Sequence, residues 1–168
     1  MKKYSIIIII IMFGSYGLAQ SGPNLPQRTA LVSATQALHF GDLTVLSNSS
    51  GGTVSVDYNG IRSATGSVVL LNMGNAAQQG IFELKICPGR LINITYNNTI
   101  TLTGSNGGSL LLHVGPANIG ASGATFLSNK GCDDTHYITV GGTLDVSSVS
   151  SNPAGLYTGT FSLTFVQQ

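Results

Sequence analysis

Runs in which every second residue is apolar, separated by glycine and asparagine clusters, leave this chain little but pleated sheet to fold into. Thr53-Val54-Ser55-Val56-Asp57-Tyr58 alternates and then reaches Asn59-Gly60. That pair tolerates the positive φ angles of a type I′ turn, so a hairpin is expected there. Phe82, Leu84 and Ile86 face one way, with Glu83 and Lys85 opposed. Ile92, Ile94 and Tyr96 form the next set. Thr99-Ile100-Thr101-Leu102-Thr103 runs into the Gly104-Ser105-Asn106-Gly107-Gly108 turn, with Ser109 to Val114 as the expected partner. Tyr137 to Val140 and Thr143 to Val146 flank Gly141-Gly142. Tyr157, Phe161, Leu163 and Phe165 share one parity, and Thr158, Thr160, Ser162 and Thr164 the other, as in a half-buried antiparallel strand. Val68 to Leu71 is continuously apolar and reads as a strand buried on both faces. Gly115 to Gly131 reads as a long loop with a short strand near Thr125-Phe126-Leu127. Beyond the first segment, no apolar set recurs at i, i+3, i+4 and i+7.

About nine or ten short strands at this spacing predict an all-β fold, an immunoglobulin-like antiparallel β-sandwich with Greek-key connections. The expected core comprises Phe40, Val54, Phe82, Leu84, Tyr157, Phe161, Leu163 and Phe165. One domain is expected over residues 36–168, with residues 20–35 as a lead-in. Within and around that lead-in, Ala30-Leu31-Val32-Ser33-Ala34 is either the first edge strand of its own domain or a strand donated to a neighbour.

The first residues carry an export signal rather than structure. Lys2 and Lys3 precede the apolar run Ile6 to Phe13, and Gly17-Leu18-Ala19 supplies small residues for a signal peptidase. Cleavage is expected after Ala19, making residues 1–19 the leader and Gln20 the new N-terminus, with a retained N-terminal anchor as the alternative. The apolar run is shorter than the roughly 20 residues of a membrane-spanning helix, so no span is expected in the mature chain. Without Lys2 and Lys3, five Lys and Arg stand against six Asp and Glu. That balance offers no basic patch to neutralise phosphates, which argues against nucleic-acid binding. Export would deliver Cys87 and Cys132, the two cysteines, to an oxidising compartment where one intramolecular disulfide is expected, the alternative being two free thiols buried as small apolar groups. Periplasm, outer surface and medium all remain open as destinations.

Candidate chemistry is sparse. Glycoside hydrolysis needs two opposed carboxylates, yet Asp57, Glu83 and Asp145 fall in alternating strands where they would face solvent. Cys132-Asp133-Asp134-Thr135-His136 is the densest set of metal-capable side chains. Calcium asks for six or more oxygens and zinc for three or four ligands, while His39 and His113 lie far away in sequence. The cluster therefore reads as a solvated turn beside the disulfide. Gly120-Ala121-Ser122-Gly123 is no nucleophile elbow, and Gly104 to Gly108 lacks the lysine and helix of a phosphate loop. The Asn48, Asn93 and Asn97 sequons matter only in a eukaryotic secretory pathway. No catalytic, metal or cofactor-binding residue is expected, and the chain does not read as an enzyme. Glycan-binding modules usually present aromatic platforms. This chain has no Trp, and Tyr58, Tyr96, Tyr137 and Tyr157 have parities consistent with burial.

The motifs taken in order resemble one family. Leu38-His39-Phe40-Gly41-Asp42-Leu43 is similar to its opening L-x-F-G motif, and Ser50-Gly51-Gly52-Thr53-Val54-Ser55-Val56 to its G-G-T-V strand. Arg62 to Gly66, Ile100 to Gly104 and Val140 to Leu144 follow in the family's order. Pro153-Ala154-Gly155-Leu156-Tyr157-Thr158-Gly159-Thr160-Phe161 is similar to the closing P-A-G-x-Y-x-G-x-F signature. Together these resemble the secreted bacterial family known as domain of unknown function 4402, over about residues 36–166. The family is similar in outline to spore-coat-U-like and chaperone–usher pilin domains, and it supplies no catalytic residues to carry over. The chain departs from it by closing on Phe165-Val166-Gln167-Gln168 instead of Asn-Tyr. Its cysteine pair also departs from the family pattern. The resulting expectation is a secreted structural or adhesive surface protein, of which a fibre subunit is one form, that meets copies of itself or other surface proteins through sheet edges. A monomeric glycan- or ligand-binding module is the alternative.

Overall fold

The computed structural model describes residues 30–46 and 50–168. The expected leader, its cleavage site, residues 20–29 and the Asn48 sequon lie outside the described residues. Among the described residues thirteen strands form: β1 (Leu31–Gln36), β2 (Leu43–Val45), β3 (Gly52–Val56), β4 (Arg62–Gly66), β5 (Val68–Leu70), β6 (Gly80–Lys85) and β7 (Leu91–Tyr96) come first. They are followed by β8 (Thr99–Gly104), β9 (Ser109–Ala117), β10 (Thr125–Leu127), β11 (Thr135–Val146), β12 (Tyr157–Thr158) and β13 (Leu163–Gln167). No helix occurs among the described residues.

The strands assemble as antiparallel sheets in a sandwich-like arrangement. An eight-stranded sheet runs β1-β6-β11-β9-β8-β12, with the β3–β4 hairpin attached to β11. A three-stranded sheet, β10-β7-β13, and the β2–β5 pair account for the other strands among the described residues. Alternation decides which side chains turn inward. Val54, Leu84, Ile92, Ile94, Ile138 and Val140 are each at most 1% exposed. Of the eight residues expected in the core, Val54 and Leu84 are fully buried. Phe40, Phe82, Tyr157, Phe161, Leu163 and Phe165 are partly buried against the cluster that holds Val54. The centre is thus aliphatic and the aromatic rings sit around it, where their larger surfaces bridge strands.

Several boundaries differ from the sequence reading, each for a physical reason. Tyr137 to Val146 is one strand rather than two segments around a glycine pair. On one flank β11 pairs with β6 up to Val140 and then with β3 from Gly142 onward. Gly141 stands at the handover, where a Cβ would lie 2.1 Å from the Val56 carbonyl oxygen. Only glycine lets two backbones approach so closely. Conversely, the run from Tyr157 to Phe165 is two strands. Its parity persists, but the chain leaves β8 after Thr158 and joins β7 from Leu163. These breaks, with the short β2, β5 and β10, raise the count above nine or ten.

Val68 to Leu71 is not buried on both faces. Val68 is buried, while Val69, on the opposite face of β5, is 39% exposed. The β3–β4 hairpin turns through Tyr58, Asn59 and Gly60, not through a two-residue type I′ turn. Gly60 N–H donates to Asp57 O at 3.0 Å, and Gly60 takes φ +82°, the geometry of a three-residue loop with a glycine bulge. The expected 115–131 loop starts later, since β9 continues through Gly115-Pro116-Ala117. Finally, β1 pairs with β6 along its length, so Leu31–Gln36 is an edge strand of its own domain.

Candidate functional site

The acidic residues are dispersed and used locally. Asp57 Oδ1 accepts from the amides of Asn59 at 2.9 Å and Ile61 at 2.7 Å. The Ile61 amide above all holds its carboxyl below the ordinary aspartate range. Asp145 meets His113 Nε2 at 2.9 Å in an exposed pair on the outer face. Such a pair contributes little to stability. Asp42 lies beside the Arg62 guanidinium, which donates to the carbonyls of Asp42 and of Leu71, the latter at 3.1 Å. His39 Nδ1 accepts the Gly41 amide at 2.9 Å.

The Cys87–Cys132 disulfide is present, joining the end of β6 to the segment before β11. The metal-capable cluster beside it does not converge. Asp134 Oδ2 accepts the Gly131 amide at 3.0 Å, Asp133 is exposed, and His136 turns inward. His136 Nε2 lies 3.2 Å from Ser128 Oγ, and that hydroxyl also lies 3.3 Å from the Ile86 carbonyl. Ser128 and His136 are the buried polar side chains among the described residues, and the Phe126 ring packs on the imidazole at 5.6 Å. Sequence reasoning missed this pair because Ser128 carries no motif. Position 136 does share the inward parity of Ile138 and Val140, a signal that was available.

Burial, and secondarily Lys130, pushes the His136 pKa down, with Asp134 opposing. The unfolded imidazole then binds a proton more readily than the folded one, so stability rises with pH through this window. It is complete above an ordinary histidine pKa of about 6.5 and falls as the pH drops below it. We expect the urea midpoint to be lower at about pH 5 than at about pH 7.5. A His136→Gln variant should lose most of that difference. An equal pH dependence in the variant would contradict the assignment.

The feature with the clearest capacity for contact is β1. No described strand pairs on its outer side. Its sequence, Leu-Val-Ser-Ala-Thr-Gln, has no charge and no proline. Val32 stands opposite Leu84, yet it is 46% exposed where Leu84 is sealed. Leu31, on the other face, is 66% exposed. Natural sheet edges are usually blunted by charge, proline or cover. Among the described residues this one carries only a register irregularity near Thr35.

Two tyrosines depart from the buried reading. Tyr58, at the hairpin tip, is 39% exposed, and Tyr137 on the outer face of β11 is 55% exposed. Tyr96 and Tyr157 are half-buried and donate to the carbonyls of Gly115 at 3.0 Å and Pro153 at 2.7 Å. No helix among the described residues is long and apolar enough to cross a membrane. The model of a family described as a domain of unknown function (DUF4402) matches residues 31–166. Neither the curated proteins nor the solved structures gave a match.

Proposed function

The chain belongs to the domain of unknown function (DUF4402) family, and on that footing we propose that it is an exported, non-catalytic structural or adhesive protein that associates with copies of itself at the β1 edge. The observation carrying this reading is the uncharged strand Leu31–Gln36, with apolar side chains exposed on both faces. An incoming strand would pair with its outward N–H and C=O groups and cover Leu31 on one side and Val32 on the other. Export is supported by the leader pattern over residues 1–19, and the disulfide is consistent with it. Hydroxyl side chains also dominate the outer face of the large sheet. Thr53 lies opposite Thr65, Ser55 opposite Ser63, and Thr103 opposite Ser109. Such a face stays soluble with little charge.

Val32→Lys tests the reading, because lysine on an edge is a common natural guard against strand addition. We expect the processed protein to show concentration-dependent association in sedimentation velocity, and the variant to remain monomeric with its unfolding midpoint nearly unchanged. Monomers for both proteins at every concentration, or equal association of both, would refute the proposal.

A further inference from the structure

A second surface, independent of β1, lies where the β3–β4 hairpin meets β9 and β11. Here Val140 pairs with Ala117 and Gly142 with Val114. Gly115 and Pro116 therefore stand opposite Gly141 alone, a β-bulge that interrupts the ladder. A groove of about 290 Å³ opens here, lined by Gly115 and Gly141 together with Tyr58, Ile61 and Pro116 among others. Its glycines are not equivalent. Gly141 is demanded by the fold, as its Cβ would collide with the Val56 carbonyl. Gly115 is not: its φ is not among the positive ones, and its Cβ would make ordinary contacts, the nearest at 3.4 Å from Gly141. A side chain at position 115 would lie against Gly141 and Gly142, among the residues that line the groove.

The chemistry around the groove selects the ligand. Its one carboxylate, Asp57, is committed to the Asn59 and Ile61 amides, and no Lys, Arg or His lines it. An anionic ligand would meet no cation there, and Asp57 is the single carboxylate a cation could meet. Tyr58 and Ile61, which is 66% exposed, offer an apolar wall. The Ser55 hydroxyl accepts from Thr143 at 3.2 Å and retains its own proton to donate, with Ser63 directly opposite on β4. An apolar wall beside neutral hydroxyls matches a sugar ring, one face of which is C–H and the edge of which is O–H. We propose that this groove binds one or two rings of a neutral saccharide, stacked on Tyr58 and Ile61 and hydrogen-bonded at Ser55 and Ser63. An extended peptide fits less well, since β3 and β4 already pair with each other and Pro116 has no N–H to offer.

The test is a titration of the isotope-labelled mature protein with maltohexaose, cellohexaose and mannohexaose, followed by amide chemical shifts. At least one sugar should shift the amides of Tyr58, Gly115 and Gly141. Gly115→Val should abolish those shifts while leaving the spectrum folded. Tyr58→Ala, at an exposed hairpin tip, should weaken binding roughly tenfold, a plausible loss for one aromatic contact. It keeps the test decisive if the valine variant fails to fold. Silence with all three sugars overturns the proposal. So do shifts confined elsewhere, shifts produced only by a proline-rich peptide, or undiminished binding in both variants. Val32→Lys should not alter the titration, so failure at the groove and failure at the β1 edge are separable.

Discussion

Replacing Cys87 and Cys132 together by alanine should lower the unfolding free energy by about 4 kcal/mol, the chain-entropy value for a loop of this size. The bridge spans 45 residues, and with it the unfolded chain loses much of its freedom. The folded side supplies a reason for the full effect to appear. The disulfide ties the exit of β6 to the entry of β11, strands that already pair from Thr135 opposite Lys85 to Val140 opposite Gly80. Around it, Ser128 N–H donates to Arg90 O at 2.8 Å, and Gly89 N–H donates to Ser128 O at 2.8 Å. This corner is held in its native geometry by other bonds, so loss of the bridge should act chiefly through the unfolded state. Urea unfolding of the oxidised protein, the reduced protein and the alanine pair checks this. Reduced protein and variant should agree with each other and lie well below the oxidised form. A difference under about 1 kcal/mol would mean that the unfolded chain is already confined by residual structure.

Truncating Leu84 to alanine should cost about 2–5 kcal/mol, the range for a large aliphatic side chain removed from a sealed core. Leu84 is fully buried among Ile86 and Ile92, with Phe126 and Phe165 packed against them. Its β6 backbone is fixed on one side by β1 and on the other by β11, so the site has little room to collapse. Phe161→Ala should cost about 3 kcal/mol, near the lower end of the phenylalanine range, because that ring is only partly buried. Phe161 lies in the crossing between β12 and β13, edge-on to Phe82 with centroids 6.0 Å apart. Leu111→Ala supplies the control. That residue is 40% exposed on the outer face of β9, and its loss should stay within about 0.5 kcal/mol. Chemical denaturation of the three variants measures the ladder. Equal effects at positions 84 and 111 would contradict the assignment of inner and outer faces.

The alternation of apolar residues made the sheets legible because one face of each long strand is covered and the other wet. It failed where that premise failed. Val69 was read as buried because an apolar run does not reveal that one face of β5 is left uncovered. Tyr137 and Ile138 are adjacent apolar residues, and parity cannot say which of the two faces is covered. Ile138 shares the inner side with Val140, which leaves Tyr137 outside. Gly141-Gly142 looked like a break, since the sequence holds no trace of the neighbouring backbones that require it to be small.

The ordered motifs prove to be fastenings of the fold. In the opening motif, the Asp42 carbonyl takes bonds from Arg62 and from the Leu71 amide, the latter at 2.9 Å. In the G-G-T-V strand, a Cβ on Gly51 would lie 2.0 Å from the Val146 carbonyl. In the closing signature, the Tyr157 hydroxyl donates to Pro153 O, four residues back. Ser105 Oγ accepts the Leu156 amide at 3.1 Å, docking the same segment on the β8–β9 turn. These residues position strands, which is why the family pattern carried the fold more than any chemistry. The contact surfaces were less legible. The β1 segment could be named from its sequence, but its exposure depends on where the opposing layer stops.

Hydrogen exchange across β1, compared between dilute and concentrated protein lacking residues 1–19, tests the proposed association most directly. Strand addition between copies predicts that amides within Leu31–Gln36 exchange more slowly as concentration rises, while those of the exposed β3–β4 hairpin tip do not change. Exchange in β1 that is independent of concentration, or protection that grows at another edge instead, would contradict it.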